Sequence, residues 1–411
     1  MTRVLDLPEI TITAWDKAFP FDAVGRPAAA LSATLDDFLT PVLALRRSAL
    51  DHNLTTMARF CREHGLALAP HVKTTMSPEI AEAQLERGAW ALTLASPSQV
   101  RAFRSLGARR IVLANELADS QAIRWLGAEL ARDPGFTCYC YVDSLDGVEL
   151  LEKELGQRAR PLPVLVELGV PGGRTGVRDL AALRSLAARV RASEALELAG
   201  IGGFEGIIGG TPAAELLANV RGYLRRLRDA ADELAGNGEF VVTVGGSAFP
   251  EVVADELGPG WQAGRSIRVV LRSGCYVTHD SLVYEDYRTI VGTEYRTLPL
   301  RPSLELWSRV LSCPEPGLAI LDFGKRDTGV DAGFPVPLHR IRRDTHEIEP
   351  APPGGLVALN DQHAHFRGGE LAVGDRVAFG VSHPCTTFDK WRLVPVFDDR
   401  YVLCGTIRTL F

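Results

Sequence analysis

The chain has 411 residues, 46% hydrophobic and 23% charged, the composition of a soluble globular protein with length for two domains. Its 45 Lys and Arg stand against 51 Asp and Glu, a net charge of −6 without a basic cluster, which argues against a nucleic-acid partner. No apolar run reaches the roughly eighteen residues of a membrane span, no basic-then-apolar leader opens the chain, and an odd seven cysteines do not make a disulfide framework, so the cytoplasm is the expected compartment.

Residues 1–37 form an N-terminal segment expected to pack with the C-terminal part of the chain. "FLTPVLALRRSALDHNLTTMARFCREHG" then reads as a short strand and a helix with its apolar residues on one face. Eight strand-like runs follow: "LALAPHVK" (66–73), "WALTLAS" (90–96), "RIVLAN" (110–115), "TCYCYVD" (137–143), "PVLVEL" (163–168), "LAGIGGF" (198–204), "FVVTVGG" (240–246) and "IRVVLRSG" (267–274). Segments of helical period, such as "SPEIAEAQLERG" and "AAELLANVRGYLRRLRDAADELAG", separate most of them. This alternation predicts an α/β fold of parallel strands joined by crossover helices, and eight units predict a (β/α)8 barrel over 38–285. An open doubly wound sheet is the alternative. Beyond 285 the helical period ends, and proline, glycine and short β-like runs ("LAILDFG", "DRVAFGVSH", "YVLCGTIRTLF") predict a second, mostly β domain over 286–411.

The strand ends carry Lys73, Ser96, Asn115, Asp143, Glu167, Phe204, then Gly245-Gly246-Ser247 and Gly274-Cys275-Tyr276. In a barrel these ends converge on one face, where active sites are built. Taken alone, Lys73 is either a solvated strand end or a reactive amine; the company of the other ends favours the amine. A lysine is nucleophilic only when deprotonated, which burial or neighbouring cations promote. A lysine at one strand end and glycines on the last two suit pyridoxal phosphate, with Lys73 as the Schiff-base residue and the Gly245 and Gly246 N–H groups, aided by the Ser247 hydroxyl, holding the phosphate.

In "VSHPCTTFDKW", His383 and Cys385 are two apart and share a side of an extended chain. An imidazole and a thiolate suit Zn2+, and two protein ligands leave positions open for substrate or water. The plainer reading is a core cysteine beside a hydrogen-bonded histidine. "NDQHAHF" offers His363 and His365 as a rival pair, or as one histidine facing the cleft and one facing solvent. Cys138 and Cys140 read as core. "GVPGGRTG" lacks the lysine of a phosphate loop and "GIGGFEG" misses the dinucleotide glycine spacing, so nucleotide binding is rejected.

The segments "TPVLALRRSALDHNL", "PHVKTTMSPEIAEAQLERGA", "IVLANEL", "VELGVPGGRTGV", "GFEGIIGG", "VGGSAFPE", "RSGCYVTHD" and "SHPC" resemble the D-serine dehydratase/D-threonine aldolase group, pyridoxal-phosphate enzymes of the alanine racemase fold type (fold type III). Within it they are similar to bacterial amino-acid deaminases. The resemblance runs from about residue 38 to the C-terminus. It implies a cofactor-holding barrel, a β domain supplying metal ligands, and a homodimer. Lys73 matches the Schiff-base lysine, Arg174 an arginine near the cofactor ring, and Gly245, Gly246, Ser247, Cys275 and Tyr276 the phosphate region. His383 and Cys385 match the metal pair, where cysteine favours Zn2+ and the aspartate of metal-activated aldolases would favour Mn2+ or Mg2+. Phe204 stands where the group often has tyrosine, and Asp361-Gln362 precede His363 where glutamate is more usual. The activity implied is β-elimination from a small D-β-hydroxy amino acid, D-serine first, to a keto acid and ammonia, with Lys73 as base and His363 positioning substrate. A D-threonine aldolase, a racemase and a non-catalytic cofactor carrier are the alternatives.

Overall fold

The computed structural model describes residues 4–156, 160–262, 264–345 and 347–411. The first strands in chain order are β1 (Val42–Arg46), β2 (Ala67–Leu68), β3 (Leu92–Leu94), β4 (Arg110–Glu116), β5 (Thr137–Val142), β6 (Leu162–Leu168), β7 (Leu196–Gly203), β8 (Phe240–Val244) and β9 (Ile267–Leu271). Among the described residues β2 to β9 make one eight-stranded sheet in the order β2-β9-β8-β7-β6-β5-β4-β3, every pairing parallel. Its two edges meet, because the Trp90 N–H donates to the Leu68 carbonyl at 2.7 Å and the Thr93 N–H to the Pro70 carbonyl at 2.9 Å. The sheet is therefore a closed barrel.

The local chemistry agrees with that path. Ser77, Ser96, Asp119, Ser144 and Asp179 each cap the helix that follows, their side-chain oxygens accepting a backbone N–H of its first turn. Pro78 and Pro97 occupy the first helical position, where a missing N–H costs nothing. Inside the barrel, Ala69, Ala91, Val112, Tyr141, Leu165, Ala199, Val241 and Val270 pack into a layer of their own. The small alanines leave room for the Tyr141 ring.

The C-terminal domain adds β10 (Leu304–Glu315), β11 (Leu318–Leu321), β12 (Val336–Ile341), β13 (Ile348–Pro350), β14 (Gly354–Leu359), β15 (Ala364–Gly368), β16 (Arg376–Gly380), β17 (Leu393–Phe397) and β18 (Leu403–Arg408). They form a mostly antiparallel sheet with β1 inserted between β10 and β17. Thus β1, within the range read as barrel, pairs with the β domain, and the barrel's own path begins with the helix Arg47–Glu63. Part of the segment before 38 also lies on this domain, the Leu35 N–H donating to the Tyr401 carbonyl and the Leu403 N–H to that of Ala33, while the Val4 and Leu5 N–H groups donate to Glu82 and that of Asp6 to the Leu106 carbonyl on the barrel. No helix of the described residues is long and apolar enough to cross a membrane.

Two joints fix how the domains meet. β18 runs against the chain just beyond Lys73, where the Leu410 N–H donates to Met76 O at 3.0 Å and Arg408 pairs with Glu79 at 2.6 Å. On the other side Asn53, fully buried, donates to the Val277 and Arg301 carbonyls at 3.2 and 2.7 Å and accepts from the Arg301 N–H at 2.8 Å. It braces the first helix, the turn after β9 and the link into the β domain. Asn53→Ala strands the groups that its amide satisfied, at about 3 kcal/mol. A thermal midpoint lower by several degrees is expected, and an unchanged midpoint would remove this brace from the account.

Candidate active site

β2 pairs over two residues only, so Lys73 is not on a strand. The chain leaves the sheet after Leu68 and wraps into a 3-10 turn, Val72–Thr74, that carries Lys73 over the C-terminal mouth of the barrel. There Lys73 borders a cavity of about 350 Å³ together with Arg174, Phe204, Gly245, Ser247 and Cys275 from the barrel and His383 and Cys385 from the β domain. Among the described residues no carboxylate pairs with its amine.

Four residues expected here, Tyr276, His363, Gly245 and Gly246, lie elsewhere or are otherwise engaged. The Tyr276 ring turns below the mouth, buried, its hydroxyl accepting from Gln84 Nε2 at 3.0 Å. His363 is exposed in the connection between β14 and β15 and does not border the cavity, while His365 bonds Asn360 Oδ1 at 2.9 Å. The Gly245 and Gly246 N–H groups already donate to the buried Glu205 carboxylate, at 2.9 and 2.5 Å. They are not free for a phosphate, which corrects the role read for the two amides. The glycines are needed for another reason: a Cβ on Gly245 would stand 2.6 Å from the Phe204 ring, and Gly246 has φ of +69°. Burial pushes the Glu205 carboxyl up.

Other groups at the cavity went unnoticed in the sequence. Arg272, buried beneath it, donates to Thr243 Oγ1 at 2.9 Å and to the Gly203 carbonyl at 2.8 Å, and its Nε has no partner among the described residues. The same holds for His71 Nδ1, Tyr141 Oη and one Glu167 oxygen, all on residues bordering the cavity. Burial, and then the charges of Lys73, Arg272 and Arg174, hold His71 well below the usual imidazole range, so it is neutral. Such a cluster of unsatisfied buried groups points to a missing polar ligand. Three cations around one cavity favour an anion. Arg174 also lies over the Phe204 ring, 4.7 Å from its centroid.

These residues fit pyridoxal phosphate. The cavity is of the size that holds a cofactor, a free amine stands at its edge, and Phe204 and Tyr141 give it aromatic walls. Ser247 Oγ accepts from the Gly274 N–H at 3.2 Å, leaving its own proton to donate, and the leading amides of the turn Cys275–Val277 open beside it.

On the β-domain side the Cys385 and Cys275 sulfurs are 3.4 Å apart. Their contact splits the two thiols. Cys275 is pushed up by Cys385 and by burial, whereas Cys385 is held well below the usual thiol range by Cys275, His383 and Thr74. His383 rises in turn, through Cys385 first and Asp331 second; Asp331 engages its Nδ1 at 2.6 Å. A thiolate beside a histidine whose other nitrogen is held by a carboxylate is a donor set suited to a soft divalent metal with an oriented outer shell. Among the described residues no group of three or more His, Cys, Asp or Glu side chains could hold an ion, so this pair would bind one with open positions.

Opposite, Glu116 and Glu167 face each other. Burial and then the Glu167 charge push the Glu116 carboxyl up to about 8.

Comparison with known proteins covers both domains. A model of the alanine racemase N-terminal domain matches residues 45–249, and one of a putative serine dehydratase domain matches 303–397. A D-threonine aldolase of Arthrobacter sp is 28% identical over 331 residues, 80% of each chain. The D-threo-3-hydroxyaspartate dehydratase of Delftia sp. (strain HT23) is 26% identical over 144 residues, 35% of this chain and 36% of that one. The crystal structure of D-threonine aldolase from Filomicrobium marinum superposes with a TM-score of 0.74 at 21% identity, covering 93% of this chain and 98% of that one. That last likeness speaks to the fold.

The raised Glu116 carboxyl sets a pH dependence. Glu116 ionises at about 4.3 when unfolded and well above that when folded, so the folded state binds the extra proton and stability falls as pH rises from there. Glu116→Gln removes this loss. Its thermal midpoint relative to the parent is expected to gain about 2–5 °C between pH 5 and pH 8.5; a constant difference would show that Glu116 takes up no proton on folding.

Proposed function

Because the chain belongs to the family of pyridoxal-phosphate lyases that holds the D-threonine aldolases and D-serine dehydratases, on the alanine racemase fold, we propose that it eliminates the β-hydroxyl of a small D-β-hydroxy amino acid, D-serine in the first instance, to give a keto acid and ammonia. The observation that carries this is the cavity in which Lys73 meets Arg174 and Arg272 on one side and the His383/Cys385 pair on the other. When bound, pyridoxal phosphate supplies an electron sink for the α-carbon, and a divalent metal, Zn2+ by donor softness, polarises the β-hydroxyl.

The chain's own residues do the rest. Lys73 Nζ would hold the cofactor's aldehyde carbon, and as an amine at the edge of the cavity it would accept the proton from the substrate Cα. Arg272 from the floor and Arg174 above Phe204 orient the anionic groups of cofactor and substrate. Ser247 would donate its hydroxyl to the phosphate. His383 and Cys385 would hold the metal, and Asp331 fixes the His383 ring through its Nδ1. The β domain also covers the mouth and keeps bulk water from the α-carbon. The hydroxyl leaves as water, and a second water releases ammonia from the product.

Cysteine at the metal pair, and a dehydratase-type C-terminal domain, favour elimination over retro-aldol cleavage. The aldolase reading keeps weight from the Arthrobacter relative. A cytoplasmic homodimer goes with either reading; Trp15 and Phe21, 76% and 83% exposed in the N-terminal segment, offer apolar surface for it.

Incubating the metal-replete protein with D- and L-β-hydroxy amino acids separates the readings. Ammonia and keto acid from D-serine are expected, whereas glycine and an aldehyde from D-threonine would replace elimination by aldol cleavage. Lys73→Ala is expected to lose the near-visible absorbance of lysine-bound pyridoxal phosphate and at least 1000-fold in turnover, on the order of the 4 kcal/mol that such a group supplies. Persistence of that band would remove Lys73 from its role. Chelation is expected to stop ammonia release and leave the band in place; full turnover in the stripped protein would dismiss the metal.

A further inference from the structure

We propose that Cys275 and Cys385 form a reversible disulfide that staples the barrel to the β domain at the mouth of the cavity. The two sulfurs come from positions 110 residues apart, Cys275 in the turn after β9 and Cys385 at the start of the short helix Cys385–Phe388, yet lie 3.4 Å from each other. A disulfide needs about 2.05 Å, so they must approach by about 1.4 Å (3.4 − 2.05), a displacement within reach of side-chain rotation. The Thr74 hydroxyl sits beside both, 3.3 Å from the Cys385 sulfur and 3.7 Å from that of Cys275, and holds the pair in register. Both residues border the cavity, through which a small oxidant reaches them. Of the other cysteines, Cys61, Cys138 and Cys140 are buried in the core, and Cys313 and Cys404 are exposed on the β domain.

The chemistry needs one hydroperoxide. Cys385 Sγ attacks a peroxide oxygen; the O–O bond breaks, a sulfenic acid forms on Cys385, and the departing hydroxide leaves as water with the proton of the Cys385 thiol. Cys275 Sγ then attacks that sulfur, the S–O bond breaks, and the Cys275 thiol proton goes with the hydroxide as a second water. Two thiols have lost two electrons and the peroxide has gained them. A small dithiol reverses the step. The bond depends on the two sulfurs alone; only its consequence for turnover, loss of the Cys385 metal ligand, rests on the functional reading above.

The full-length enzyme, metal-replete and chelator-treated, is exposed to equimolar hydrogen peroxide, alkylated and digested without reduction. The expected product is a linked pair of peptides containing Cys275 and Cys385, lighter by about 2 Da than the two together, abolished by dithiothreitol and formed faster without metal. In Cys275→Ser, Cys385 is expected to persist as a sulfenic acid that dimedone traps. The proposal is overturned if both thiols stay free to alkylate in the stripped protein, or if Cys385 over-oxidises while Cys275 remains a thiol. These masses are read whether or not the protein turns over D-serine, so a failed lyase assay and a failed disulfide are told apart.

Discussion

The shortness of β2 governs this protein. Only Ala67 and Leu68 pair with β9, after which the chain is released from the sheet while still tied to β3 through Pro70 and His71. A longer strand would carry Lys73 outward along the barrel wall, with its side chain alternating between core and helix layer. Released early, the chain curls inward, and the turn Val72–Thr74 presents Lys73 and Thr74 to the mouth from one place. The β domain then docks on the same segment through Met76 and Glu79, so the lysine, the thiol pair and the domain joint are positioned by one stretch of backbone.

Charge is arranged around that stretch with a clear division. Lys73, Arg174 and Arg272 gather at the cavity, where Arg272 is buried and held by two neutral acceptors, so much of its charge is left for a ligand. Glu205, the nearest buried carboxylate to the diglycine bend, is spent on holding that bend in shape. Glu116 is pushed up by burial and by the charge of the neighbouring Glu167. The cavity thus gathers positive charge, and among the described residues no carboxylate pairs with Lys73.

The interdomain contact is where the two halves become one site. Neither domain holds a complete donor set: the barrel has the amine, the arginines and Cys275, and the β domain has His383, Cys385 and Asp331. Their meeting at Thr74 makes the reactivity of Cys385 a property of the assembled molecule, since a thiol that loses its proton next to Cys275 and His383 would keep it in isolation.

Much of this was legible in the chain. Alternating strand and helix periods are a local property, so the eight parallel barrel strands and the mostly β C-terminal part could be read directly; Lys73, Arg174, Phe204, Ser247, His383 and Cys385, picked out along the chain, border one cavity in the fold. What sequence by itself could not decide is where a side chain at a strand end points. Register and twist are set by the neighbouring strands, and they turn Tyr276 under the mouth, leave His363 outside it, bring Arg272 and Tyr141 in, and engage the Gly245 and Gly246 amides with Glu205. The placing of β1 in the second domain's sheet was hidden for the same reason: its partners, β10 and β17, lie hundreds of residues away, and strand pairing at that distance is decided by tertiary packing rather than by the residues on either side.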